Sequence, residues 1–145
     1  MERNPKPYLQ DSFAIDNETV EDVKGQIGNA ELVDHSRRLV KKLWNVAEGV
    51  WCFVGNGLSN QTFVEGPEGL IVIDTGECVE EMAEALVAIR KETQSPIAAV
   101  IYTHFHYVAG TKAVFTSEER DDIPVWGHER IAMNRRSYGT ELSAV

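Results

Sequence analysis

Between Leu43 and Ile73 the chain is cut into short runs rich in β-branched and aromatic residues, and this spacing constrains the fold more than any other feature. Trp44-Asn45-Val46, Val50-Trp51-Cys52-Phe53-Val54, Thr62-Phe63-Val64 and Leu70-Ile71-Val72-Ile73 are separated by Glu48-Gly49, Gly55-Asn56-Gly57 and Gly66-Pro67-Glu68-Gly69. Such side chains fit a pleated, half-buried surface, while the Gly, Asn and Pro clusters supply turn conformations, so the segment predicts consecutive antiparallel strands. The unbroken apolar run at 70–73 predicts a strand buried on both faces. After Asp74-Thr75-Gly76 the period changes. Val79, Met82, Ala83, Leu86, Val87 and Ile89 recur at three- and four-residue steps, an amphipathic helix of about four turns that Pro96 closes off. Ile97–Tyr102 predicts a second buried strand, Val108–Phe115 a short helix, Pro124–Trp126 a strand, and Glu129 the start of a last helix. Strands followed by helix–strand–helix–strand make a layered α/β fold, a mixed sheet flanked by helices.

Residues 1–42 read differently: many charges, few strand signals, and helical pieces over Asn17–Val40 interrupted by Gly25 and Gly28. We take 1–42 as an N-terminal extension that wraps the body or meets a partner, and 43–145 as the main domain. At 43% hydrophobic and 26% charged residues the composition is that of a globular chain able to bury a core. The formal net charge of −9 argues against nucleic acid or an anionic membrane as the main partner, because both require a cationic face. Cys52 and Cys78 lie in no CxxC motif and give no disulfide-scaffold signal. The polar start MERNPKPY and the absence of a long apolar run predict neither a secretory signal nor a membrane span, which points to the cytoplasm.

Chemistry concentrates at Thr103-His104-Phe105-His106, directly after the strand at 97–102. Two histidines one residue apart on an extended or looped segment turn toward one cation, and neutral imidazole is a good zinc ligand. The end of a strand is also where α/β sheets keep their sites. Alone, a His-x-His pair arises by chance in many chains, and Asp74 alone reads as a turn-former.

Taken together, Leu70-Ile71-Val72-Ile73-Asp74-Thr75-Gly76, the helix, and Ala99-Val100-Ile101-Tyr102-Thr103-His104-Phe105-His106 resemble the metallo-β-lactamase superfamily. In that family an apolar strand ends in Asp-Thr-Gly before a helix, and the next strand ends in Thr-His-x-His-x-Asp-His-x-Gly-Gly. Gly55–Val64, with its Ser59-Asn60 turn, is similar to the alkyl sulfatase branch. The likeness runs from 43 to about 130 and implies the N-terminal half of a metallo-β-lactamase-like sandwich. It implies that His104 and His106 are two of the three ligands of a first metal, with zinc expected, and that Asp74 braces the histidine loop from outside the ligand set. Thr103, Ser59 and Asn60 would lie at the substrate rim. Tyr107 would donate to a sulfate or similar oxyanion; its plainer reading is an aromatic packed on the sheet.

The chain departs from the pattern where the family's Asp-His pair gives way to Val108-Ala109, neither of which binds a metal. The third ligand and the bridging acid of the family come from sequence further on. His128 reads as a polar cap of the next helix and His35 as solvent-exposed. Three functions follow. The first is a metal-dependent hydrolase of sulfate esters or related small-molecule esters, using metal-activated water and present as an incomplete portion. The second is a non-catalytic relative with a decayed metal site. The third is a binding or scaffold module that pairs with another chain. An exposed apolar sheet predicts association as a homo-oligomer or with the missing C-terminal half.

Overall fold

Two units divide the chain between Val40 and Lys41, and a computed structural model describes residues 18–37 and 40–142. In the first unit Thr19–Glu21 (β1) pairs antiparallel with Ile27–Asn29 (β2), and Ala30–Ser36 forms a helix, α1. The expected helical pieces broken by glycines hold only for α1. Residues 19–29 form a hairpin instead, because Asp22 Oδ1 accepts the amides of Lys24 at 2.8 Å and Gln26 at 2.9 Å. Gly25 takes the left-handed φ of 78° that this turn requires. Asn29 then caps α1 by accepting from the amides of Glu31 and Leu32, and His35 is exposed on it. The part of the expected extension at 1–17 lies outside the described residues.

The second unit is built on a six-stranded sheet in sequential order: Lys42–Ala47 (β3), Val50–Val54 (β4), Gln61–Gly66 (β5), Gly69–Ile73 (β6), Ile97–Ile101 (β7) and Val125–Trp126 (β8). β3 to β6 are antiparallel neighbours, joined by the Gly-containing turns, and β6–β7–β8 are parallel. A parallel step needs a crossover. Val79–Ile89 (α2) supplies the first and Thr111–Glu118 (α3) the second, and Ile131–Leu142 (α4) follows β8. The sheet is thus mixed and carries helices, as the pattern of periods predicts.

Alternation along the strands sorts the sheet's side chains into two faces. Trp51, Phe53, Phe63, Leu70, Val72 and Val100 are buried with Met82, Ala85, Leu86 and Ile89 of α2 and Ala113 and Val114 of α3 in one core. Burial of a side chain such as Phe63 contributes roughly 1.5–3 kcal/mol. On the other face the register sets Trp44, Cys52, Thr62, Ile73 and Ile101 beside one another, with Trp126 at the end of the row. The expectation that the strands at 70–73 and 97–102 are buried on both faces is therefore corrected. Leu70, Val72, Ile97 and Val100 are buried, while Ile71 and Ile73 are half-buried and Ile101 is exposed. Among the described residues of the second unit, no element packs over that face. The short helix also begins later than Val108, at Thr111, because Val108 is held in a parallel bridge to Gly76. Among the described residues no helix is long and apolar enough to cross a membrane.

Candidate metal centre

β6 and β7 end side by side, so the turn at 74–76 and the loop at 103–110 leave the same edge of the sheet and are laced together. The Asp74 amide donates to the Ile101 carbonyl at 2.9 Å, the Thr75 amide to the Tyr107 carbonyl at 2.9 Å, and the Ala109 amide to the Gly76 carbonyl at 3.2 Å. Gly76 has a φ of 80°, and Asp74 itself has a φ of 59°, a left-handed conformation uncommon outside glycine, asparagine and aspartate. Gly110 permits the closest approach. A Cβ there would stand 1.9 Å from the Thr75 carbonyl oxygen and 2.6 Å from the Met82 Cβ, which no side chain tolerates.

Asp74 is 7% exposed. Its carboxylate accepts the Thr103 amide at 2.9 Å and the Thr103 hydroxyl at 2.6 Å. The same hydroxyl lies 2.8 Å from His104 Nδ1. A hydroxyl has one proton to give. Since the Thr103 proton goes to Asp74, Thr103 Oγ1 accepts from His104, which places the neutral imidazole's proton on Nδ1 and leaves the Nε2 lone pair outward. The chain Asp74–Thr103–His104 thus selects the tautomer that ligates through Nε2, the function that carboxylate support serves at metal sites.

His104 and His106 stand with ring centroids 5.1 Å apart, and the Tyr107 ring meets His104 edge-on at 4.5 Å and 82°. Two adjacent imidazoles, one with its tautomer set, form a donor set suited to zinc-like cations. Among the described residues no group of three or more His, Cys, Asp or Glu side chains is arranged to hold a metal ion. Val108, where the resemblance would place a ligand, is 6% exposed at the Gly76 bridge. Tyr107 anchors the loop through its carbonyl and packs its ring on His104.

The structure separates the remaining rim residues. Thr103 joins the site directly. Ser59 is 3% exposed and its hydroxyl accepts from the buried Gln61 amide at 3.0 Å, while Asn60 is exposed. No hydrogen bond ties either to the histidine loop among the described residues. His128 Nδ1 accepts the Arg130 amide at 3.2 Å ahead of α4. Cys52 and Cys78 are free thiols.

Sequence reasoning passes over a second network beneath the loop. Thr111 bonds to the Tyr102 hydroxyl, to the Thr75 hydroxyl at 3.1 Å and to the Val108 carbonyl at 2.9 Å. Burial raises the Tyr102 pKa above its usual 10.0, against the hydrogen bond shared with Thr111 and the charge of Arg135, which lower it. The threonines carry no signal in sequence because each bond spans a loop closed by tertiary structure.

The same region of the chain is similar to known proteins. Residues 54–107 match the sequence model of the Metallo-beta-lactamase superfamily. A linear primary-alkylsulfatase from a Pseudomonas strain is 39% identical over 87 residues, which is 57% of this chain and 16% of that protein. An alkyl/aryl-sulfatase of Saccharomyces cerevisiae is 36% identical over 75 residues, 50% of this chain and 12% of that one. The chain therefore spans only a small part of the curated relatives it matches. Among solved structures, the stereoselective inverting sec-alkylsulfatase Pisa1 from Pseudomonas superposes with a TM-score of 0.56 at 22% identity, over 68% of this chain and 19% of that one. A metallo-β-lactamase from Hirschia baltica gives 0.51 at 21% identity, over 65% of this chain and 47% of that one.

Proposed function

We propose, from a chain that carries part of a metallo-β-lactamase fold and is alkyl-sulfatase-like over that part, that it supplies the metal-binding loop of a metal-dependent hydrolase of sulfate esters or related esters. The observation that carries this reading is the Asp74–Thr103–His104 chain, which turns one imidazole lone pair outward beside a second imidazole. His104 and His106 would hold the cation, with zinc the fitting choice among imidazole-binding metals. A third ligand would come from sequence beyond this chain or from another chain, since catalytic zinc sites normally take three. The bound cation supplies Lewis-acid activation of water and of the ester. Asp74 and Thr103 hold His104 in place, Tyr107 packs against its edge, and Thr75 and Thr111 pin the loop to the sheet. Association with another copy or with a complementary half belongs to this reading, because no described element of the second unit covers one apolar face of its sheet.

A second reading, a relative whose site no longer binds metal, is favoured by Val108 and Ala109, which offer no ligand atoms. One experiment separates the two. Protein purified without added metal is titrated with zinc and its bound metal counted, for wild type, the His104→Ala/His106→Ala pair, and Thr103→Val. The hydrolase reading expects zinc in wild type, none in the double variant, and affinity about 10- to 100-fold weaker in Thr103→Val, the usual cost of losing a ligand's support. Wild type that takes up no more zinc than the double variant sinks a site carried by this loop and leaves the decayed relative.

A further inference from the structure

Beside the histidine loop stands a cation that the reading above leaves without a role. Arg135 of α4 lines a pocket of about 180 Å³ together with Glu77, Phe105, His106 and Ala109. Two other arginines of this unit are held in ion pairs: Arg90 with Glu118, and Arg120 with Asp122. Among the described residues no carboxylate pairs with the Arg135 guanidinium, Glu77 included. Its charge nonetheless reaches the end of β7, where it acts on the Tyr102 phenol.

The pocket's size and walls narrow what fits. Pockets that enclose whole drug-sized ligands begin at about 300 Å³, so this one suits a compact headgroup with the rest of the molecule outside. Phe105 and Ala109 make part of its wall apolar, which strengthens electrostatic attraction by excluding water. A guanidinium presents its N–H groups in a planar fork that matches two oxygens of a tetrahedral oxyanion, a match an ammonium lacks. Two ionic groups of opposite sign face the same space. Glu77 opposes an anion there, and Arg135 opposes a cation bridging Glu77 and His106. Glu77 is exposed and keeps water around its carboxylate, whereas the arginine fork is the group shaped for an oxyanion.

We propose that Arg135 is a substrate-recognition residue that holds the sulfate headgroup of a monoester in this pocket, next to His106. The identity of the ester rests on the hydrolase reading; the anion site rests on Arg135 and the pocket alone. The test uses methyl sulfate as the probe, titrated calorimetrically into the full chain with and without zinc. Arg135→Ala should weaken binding about 10- to 100-fold, the loss expected for a charge-assisted pair. Arg135→Lys, which keeps the charge and loses the fork, should fall between, and Glu77→Gln should bind more tightly than wild type. Both positions are at the surface, and an unchanged circular dichroism spectrum confirms that each variant folds. Wild type that binds no methyl sulfate, or Arg135→Ala that binds it as wild type does, overturns the proposal. Zinc counted in the same samples keeps the two ideas apart. An Arg135 effect without zinc uptake upholds the anion site and removes the hydrolase reading; zinc uptake with a silent Arg135 does the reverse.

Discussion

On one face of the six-stranded sheet Phe63, Val72 and Val100 are fully buried under α2 and α3, whereas on the other Trp44, Ile101 and Trp126 remain 43%, 36% and 64% exposed. The two sets come from the same strands, and Ile101 directly follows Val100 along the chain. The open row, Trp44–Cys52–Thr62–Ile73–Ile101–Trp126, contains no ionisable acid or base apart from the Cys52 thiol. What separates the faces is therefore cover and not hydrophobicity. Alternating side chains supply two apolar surfaces, and the described helices of this unit cover one. A continuous apolar surface left open in this way normally marks an interface.

A pair of truncations, one on each face, measures the difference most directly. Phe63→Ala removes a fully buried ring and should cost about 3–5 kcal/mol in urea unfolding. Ile73→Ala, on the open face, should cost under about 1 kcal/mol, because its atoms leave little buried volume behind. Equal losses would mean that the second face is covered in solution. A Trp44→Ser/Ile101→Ser variant tests the cover itself. It should lower self-association in sedimentation and reduce binding of a hydrophobic dye, with the unfolding midpoint little changed; association as strong as wild type's would place the contact elsewhere.

The smallest effect belongs to the sheet's end, where Tyr102 is half-buried. Burial raises its folded pKa above the unfolded value of 10.0. The unfolded chain thus loses this proton first as pH rises. The associated stability is fully present below about pH 10 and disappears as pH climbs through the folded value. Tyr102→Phe should flatten the fall in urea midpoint between pH 9 and 11 relative to wild type, and identical profiles would remove Tyr102 as its source.

Much of the fold is legible along the chain because the signals are local. Strand runs separated by Gly-rich turns, and the change of period after Gly76, locate β3 to β7 and α2. The failures have particular causes. The hairpin at 19–29 depends on the Asp22 carboxylate folding back on its own turn, a choice that charge-rich composition conceals. The helix expected from Val108 starts at Thr111 because a bridge to Gly76 claims Val108 first. An apolar strand such as 70–73 reads as buried on both faces whether or not a second layer exists. At the site, Asp74, Thr103 and His104 were legible together because a motif carries them. The motif alone groups Ser59 and Asn60 with them, while the structure turns Ser59 inward onto Gln61. Arg135 was not legible at all, since nothing in its helix announces the pocket it faces.

Residue pattern alone sets the alternation that makes a two-faced sheet, the helix that crosses it, and the presence of Asp74, Thr103, His104 and His106 just after apolar strands. These follow from side-chain size, branching and period, which act over a few residues. Packing in three dimensions sets the hydrogen-bond order along Asp74–Thr103–His104, the need for glycine at 110 against Thr75, and the wall that Arg135 shares with His106. Each of those depends on distances of a few ångströms between segments far apart in the chain, and such distances exist only once the sheet and its helices have packed.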